Sequence, residues 1–206
     1  MQDIINVAFR SFRGYWEAYG IDVPVYGFGE SLAEVKADVQ EALAAYFDQD
    51  GPFEINEFQE RRVHSADEAC PDIWVRTFMD RDPDQMLKRR EFADLIQKQL
   101  EMNPEYLATF RNGISSLGDI IATVCFEDDM LADLIDQIGD ADLLYVCMPA
   151  KDGLYWNCVF TSDSEDHPSN SKPVSGLGLG DAATVGQFMY ATNSINAAPK
   201  SYLVAA

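Results

Sequence analysis

The stretch Ser31-Leu-Ala-Glu34 constrains the fold more tightly than any other, because it marks where a helix begins. The serine hydroxyl can accept from the first free amides, while a glutamate three residues on reaches back toward the cap. Behind it Leu32, Val35, Val39, Leu43 and Tyr46 recur at helical spacing, and Ala42 and Phe47 widen that stripe. Lys36, Asp38, Gln40 and Glu41 lie off it, and Asp48-Gln-Asp-Gly51-Pro52 ends the run. A helix with one apolar stripe needs a surface to cover, and the flanking segments read as that surface. Ile4 to Phe12 and Gly14 to Ile21 are rich in aromatic and β-branched residues and break near Arg13-Gly14, as paired strands do. Asp22 to Gly29 reads as a turn and a short third strand with Pro24 at an edge or turn position. Phe53 to Val63 alternates in part and fits a fourth strand.

Beyond a linker at 65–71, Ile73 to Met79 reads as a short strand. Asp82-Pro83 starts a helix that runs to about Met102, since proline at the first helical position gives up an amide that would be unpaired anyway. Asn103-Pro104 repeats that signal for a helix to Arg111, stopped by Asn112-Gly113. Helical patterns are expected at Ile114 to Val124 and Asp128 to Ile138. Ala141 to Pro149 and Leu154 to Ser162 flank a turn and read as a β-hairpin. Thr161 to Leu179 reads as a polar loop, Ala182 to Thr192 as a short helix, and the tail to Ala206 carries no pattern. The expected fold class is α+β, with a βββαβ unit at 1–64 and a mixed region of helices and a β-hairpin at 72–206.

Thirty-five acidic side chains face 15 basic ones, for a formal charge of −20. Such a surface disfavours phosphates, because nucleic-acid affinity rests largely on counterion release by Lys and Arg. It steers the chain toward a basic protein instead, although acidity also serves solubility alone. No window of about 18 apolar residues occurs, and the first ten residues have no signal-peptide character, so a cytoplasmic location is expected. Cys70, Cys125, Cys147 and Cys158 form no CxxC pair and are expected to be small buried apolar residues. His64 and His167 have no motif neighbours that suggest a nucleophile or a zinc site. Gly176-Leu-Gly-Leu-Gly180 lacks the Lys-Ser or Lys-Thr of a phosphate loop and reads as a flexible loop. Glu127-Asp-Asp129 reads as a helix cap rather than a metal site. No catalytic set, metal or cofactor is expected.

Gly14-Tyr-Trp-Glu-Ala-Tyr19, Asp22-Val-Pro24, Gly27, Gly29-Glu-Ser-Leu-Ala-Glu34 and Gln40-Glu-Ala-Leu-Ala-Ala-Tyr-Phe47 carry a resemblance to the HicB antitoxin family. The likeness covers about sixty residues, Ile4 to Val63. It implies a small α/β fold without catalytic residues, of a kind that neutralises HicA, a small basic toxin that cleaves RNA. On that reading Glu17, Asp22 and Glu30 rim the strands with charge, while Tyr15, Tyr19, Tyr26 and Phe28 supply apolar anchors for the partner. The same rings are also candidates for the core, since a strand buries alternate side chains.

Glu91 to Gly113 is similar to an Xre/Cro-type helix-turn-helix, and basic residues concentrate nearby. Arg89, Arg90 and Arg111 are the candidate DNA contacts. The departures are a Gln at position 97, a Glu at position 101, and outward positions Glu105, Ala108 and Thr109, which offer no guanine-reading side chain. The functions that remain are a neutraliser of a basic protein, a DNA-binding regulator, and an acidic nucleic-acid mimic of phage type. A homo-oligomer is compatible with each.

Overall fold

The structure is a computed structural model that describes residues 4–63, 73–103, 120–138, 143–149, 155–162, 172–192 and 200–204. The first five elements are β1 (Ile5–Phe12), β2 (Tyr15–Gly20), β3 (Tyr26–Gly29), α1 (Leu32–Phe47) and β4 (Ile55–Val63). Then come β5 (Ile73–Phe78), α2 (Pro83–Met102), β6 (Ile120–Val124), α3 (Leu131–Asp136), β7 (Leu143–Pro149) and β8 (Tyr155–Ser162). β9 (Lys172–Pro173), a 3-10 turn at Val174–Leu177, α4 (Val185–Thr192) and β10 (Lys200–Val204) complete the series. Among the described residues ten strands join in one mixed sheet, in the order β3-β2-β1-β4-β5-β6-β7-β8-β10-β9. The sheet therefore runs without a break across the segment at 64–72, because β4 pairs antiparallel with β5.

Local chemistry explains the first elements. Phe12 pairs with Tyr15 across a two-residue turn, and Arg13 and Gly14 both have positive φ, at 50° and 89°. That is the I′ geometry whose twist matches the flanking strands. Ser31 Oγ accepts from the Glu34 amide at 3.2 Å, while the Glu34 carboxylate accepts from the Glu30 amide at 2.8 Å. The return contact thus falls one residue before the expected one. Asp82 caps α2 through the Asp84 amide, with Pro83 in the first turn.

Two faces divide the molecule. On one, α1 packs Val35, Val39 and Leu43 onto Val7, Phe9 and Ala18, and α2 packs Ala93, Ile96 and Leu100 onto Val75, Ile120 and Ala122. On the other, α3 and α4 bring Leu134, Val185 and Phe188 onto Ile121, Val146 and Phe160. The helix α1 approaches its strands closely. A Cβ built at Gly27 would lie 2.7 Å from Val39 Cγ2 and 3.2 and 3.3 Å from backbone atoms of the helix. Gly27→Ala is accordingly expected to cost about 1–3 kcal/mol by overpacking. Urea unfolding at wild-type stability would show that the helix has room to retreat.

Several expectations are corrected. Ile120 to Val124 is a strand, not a helix: all five residues are buried in mid-sheet, where a strand reads as an unbroken apolar run rather than an alternation. The polar segment after Ser162 is not all loop, because β9 and a 3-10 turn lie within it. The patternless tail contributes β10, which runs parallel to β8. The helix expected from Asn103-Pro104 to Arg111 lies outside the described residues.

Candidate functional site

The face opposite α1 and α2 is covered by α3 and α4 only over its C-terminal strands. Over β1 to β3 no described element covers it. Strand alternation and register place Tyr15, Glu17 and Tyr19 of β2 and Tyr26 and Phe28 of β3 on this open face. Tyr15, Tyr26 and Phe28 are 62%, 66% and 67% exposed, and Phe12 beside them is 56% exposed. Three of the four expected anchor rings are therefore not core. Rings this open on a folded strand are uncommon enough to call for an explanation.

The fourth ring, Tyr19, is half-buried in a network that sequence reasoning missed. Cross-strand register lines up Phe28, Glu17, Arg10, Glu60 and Arg76 in one row over five strands. Glu60 is fully buried and accepts from Arg10 Nε at 2.6 Å and from Arg76 Nε at 2.8 Å. The Tyr19 hydroxyl donates to Glu60 Oε1 at 2.8 Å and accepts from Arg10 and Arg76 at 3.2 and 3.1 Å. Arg76 Nη1 donates to the Gln137 carbonyl at 2.6 Å, which ties the open half of the sheet to the end of α3. Arg10 also stacks on Tyr19 and Trp74, 4.6 and 3.8 Å from the ring centroids. Burial, with the Glu60 charge adding to it, pushes the Tyr19 hydroxyl up to about 12, so it stays a neutral donor. Burial alone would raise Glu60, but the Arg76 and Arg10 guanidiniums carry its carboxyl below the ordinary value. The signal available beforehand was an Arg, a Tyr, a Glu and an Arg at inward strand positions; only the register brings them together.

A cavity of about 300 Å³ opens beside this row, lined by Glu17, Tyr19, Tyr26 and Phe28 on one side and Arg76 and Ile138 on the other. The expected acidic rim is mixed in sign. Glu17 stands beside Arg10, while Asp22 and Glu30 are exposed at the margins. The Asp22 carboxylate also accepts from the Asn6 amide, at 3.2 and 3.3 Å.

The candidate DNA contacts separate. Arg89 is buried at 5% exposure, paired with Asp80 and bound by both carboxylate oxygens of Asp129 at 2.6 and 2.9 Å. It is therefore a structural cation rather than a phosphate contact, and Asp129 is its partner rather than a helix cap. Arg90 is exposed on α2, and Arg111 lies outside the described residues. Residues 91–100, the first helix of the expected helix-turn-helix, are part of the single 20-residue α2.

Cys125, Cys147 and Cys158 are buried, as expected, and burial pushes their thiols up, Cys147 to about 12. Cys70, His64 and His167 lie outside the described residues. Among the described residues no group of three or more His, Cys, Asp or Glu is placed to hold a metal, and no helix is long and apolar enough to cross a membrane.

Compared with known proteins, the chain matches no family model, no curated protein and no solved structure. The functional reading therefore rests on the open face and its chemistry.

Proposed function

We propose that the chain is a non-catalytic binding protein that docks a basic protein on the open face of β1 to β3, in the manner of an antitoxin. The observation that carries this is the cluster of exposed rings, Phe12, Tyr15, Tyr26 and Phe28, on a sheet face that is covered by helices elsewhere. Aromatic anchors beside a preordered arginine match the composition of interface hot spots. The net charge of −20 favours a cationic partner through long-range steering. The order β1-β2-β3-α1-β4 agrees with the HicB-like resemblance, which adds the idea of a toxin as that partner. The DNA-regulator reading is weaker because Arg89 is committed to Asp80 and Asp129.

The test is affinity capture with the full chain and with a Phe12→Ser/Tyr15→Ser variant, each captured protein being identified and its charge read from its sequence. The expected partner is basic, its recovery falls as salt rises, and its affinity drops by about tenfold or more in the variant. A partner that is acidic, or one held equally by the variant, overturns the reading.

A further inference from the structure

We infer that the groove across the ends of β4, β5 and β6 takes up one extended, Lys- or Arg-rich segment of a protein partner. The groove has a volume of about 840 Å³. It opens where the parallel neighbours β5 and β6 both reach their carboxyl ends, a usual place for ligands on such sheets. It is a second surface, apart from the exposed rings. β1 and β4 run parallel from Ile5 and Ile55, so Phe12 and Tyr15 stand at the far end of the strands from Glu54 and Ile55.

The sign of the lining selects a cation. Lys36 holds Glu57, and Arg89 holds both Asp80 and Asp129, so one guanidinium faces two carboxylates. Glu54, Asp128 and Asp133 also line the groove and form no ion pair among the described residues, against Arg81 as the one further cation of the lining. Six carboxylates thus stand against three cations, and the excess remains after the existing pairs are set aside. Burial first, and then the Asp136 and Asp129 charges, hold the Asp133 carboxyl above its ordinary range, as happens where carboxylates crowd without a counter-ion.

Shape selects a segment of chain. Ile55, Phe78, Met79 and Met130 line the groove between those charges. Long basic side chains lay their methylene stems on such apolar surface and keep their heads among carboxylates. Neighbouring strands lie about 4.8 Å apart, so walls built on β4 and β6 are separated by roughly 10 Å. That width admits one extended chain and is filled completely by a helix with its side chains.

The experiment titrates the full chain, labelled with ¹⁵N, with the acetylated and amidated pentapeptide Arg-Leu-Arg-Leu-Arg. The same peptide with Glu in place of Arg, and the small polycation spermidine, serve as comparators. The basic peptide is expected to shift the amides of Glu57, Met79, Asp80 and Met130 saturably, and more weakly as salt rises. Asp128→Asn/Asp133→Asn removes two carboxylates that hold no partner among the described residues, and should lower the affinity about tenfold. Glu41→Gln/Glu101→Gln, an equal loss of charge at exposed positions outside the groove, should change it less than about twofold. Equal effects of the two variants, equal binding of the Glu peptide, or spermidine binding as tightly as the basic peptide would each overturn the inference. Docking on the open face is tested separately. Phe12→Ser/Tyr15→Ser should leave the affinity for the peptide unchanged, and a loss there, or shifts at Tyr15 and Phe28 in place of the groove amides, would sink the groove and leave the docking face standing.

Discussion

Glu60→Ala is expected to destabilise the fold by about 3–5 kcal/mol, because it leaves the Arg10 and Arg76 guanidiniums facing each other without their shared anion. Arg76 is 2% exposed and cannot turn to water without breaking its bond to the Gln137 carbonyl. Urea unfolding at neutral pH measures the loss, and a cost below about 1 kcal/mol would mean that water reaches the row. The same residue sets a pH dependence. The folded carboxyl titrates below its ordinary value of 4.5, so the unfolded chain binds the proton first as acid is added. The stability Glu60 contributes is therefore complete above that ordinary value and is lost as pH falls through the folded one. Wild-type midpoints should decline on acidification in that range, and those of Glu60→Ala should decline less.

The second large effect is at Arg89. Arg89→Ala removes the cation that joins α2 to the segment before α3, stranding Asp80 and Asp129 side by side in a partly buried site. About 3 kcal/mol of stability should go with it, since breaking a buried pair leaves an uncompensated charge. Arg90→Ala, one residue away and exposed, should change unfolding by less than about 0.5 kcal/mol. Equal effects at the two positions would contradict the buried ion pair. A loss of DNA binding in an Arg89 variant would report unfolding, so Arg90, exposed on the same helix, is the position that tests a phosphate contact.

The parts of the fold legible in the sequence are those governed by neighbours in the chain. Ser31 and Glu34 mark α1, and Asp82-Pro83 marks α2, because capping is settled within four residues. Arg13-Gly14 marks the first hairpin for the same reason. What stayed hidden depends on distant pairing. Ile120 to Val124 is apolar throughout, which fits a buried helix as well as a central strand until β5 and β7 are placed beside it. β10 has no periodicity of its own and is a strand because β8 offers it a ladder. The site divides likewise. Tyr15, Tyr26 and Phe28 stand out as rings in short strands, and their exposure follows once α1 is assigned to the other face. Glu60 and Arg76 look like ordinary polar strand positions, 16 residues apart, and only the β4–β5 register makes them partners.

The outermost strand, β3, has one more property that shapes how the molecule meets others. The Phe28 amide donates to the Asp38 carboxylate of α1 at 2.8 Å. A foreign strand approaching this border alongside β3 would find that hydrogen-bond donor already engaged and a negative group standing guard. Lateral growth of the sheet into fibrils or swapped assemblies is discouraged at that point. Visitors are directed to land on the broad side of the strands, ring against ring, and not to lengthen the row.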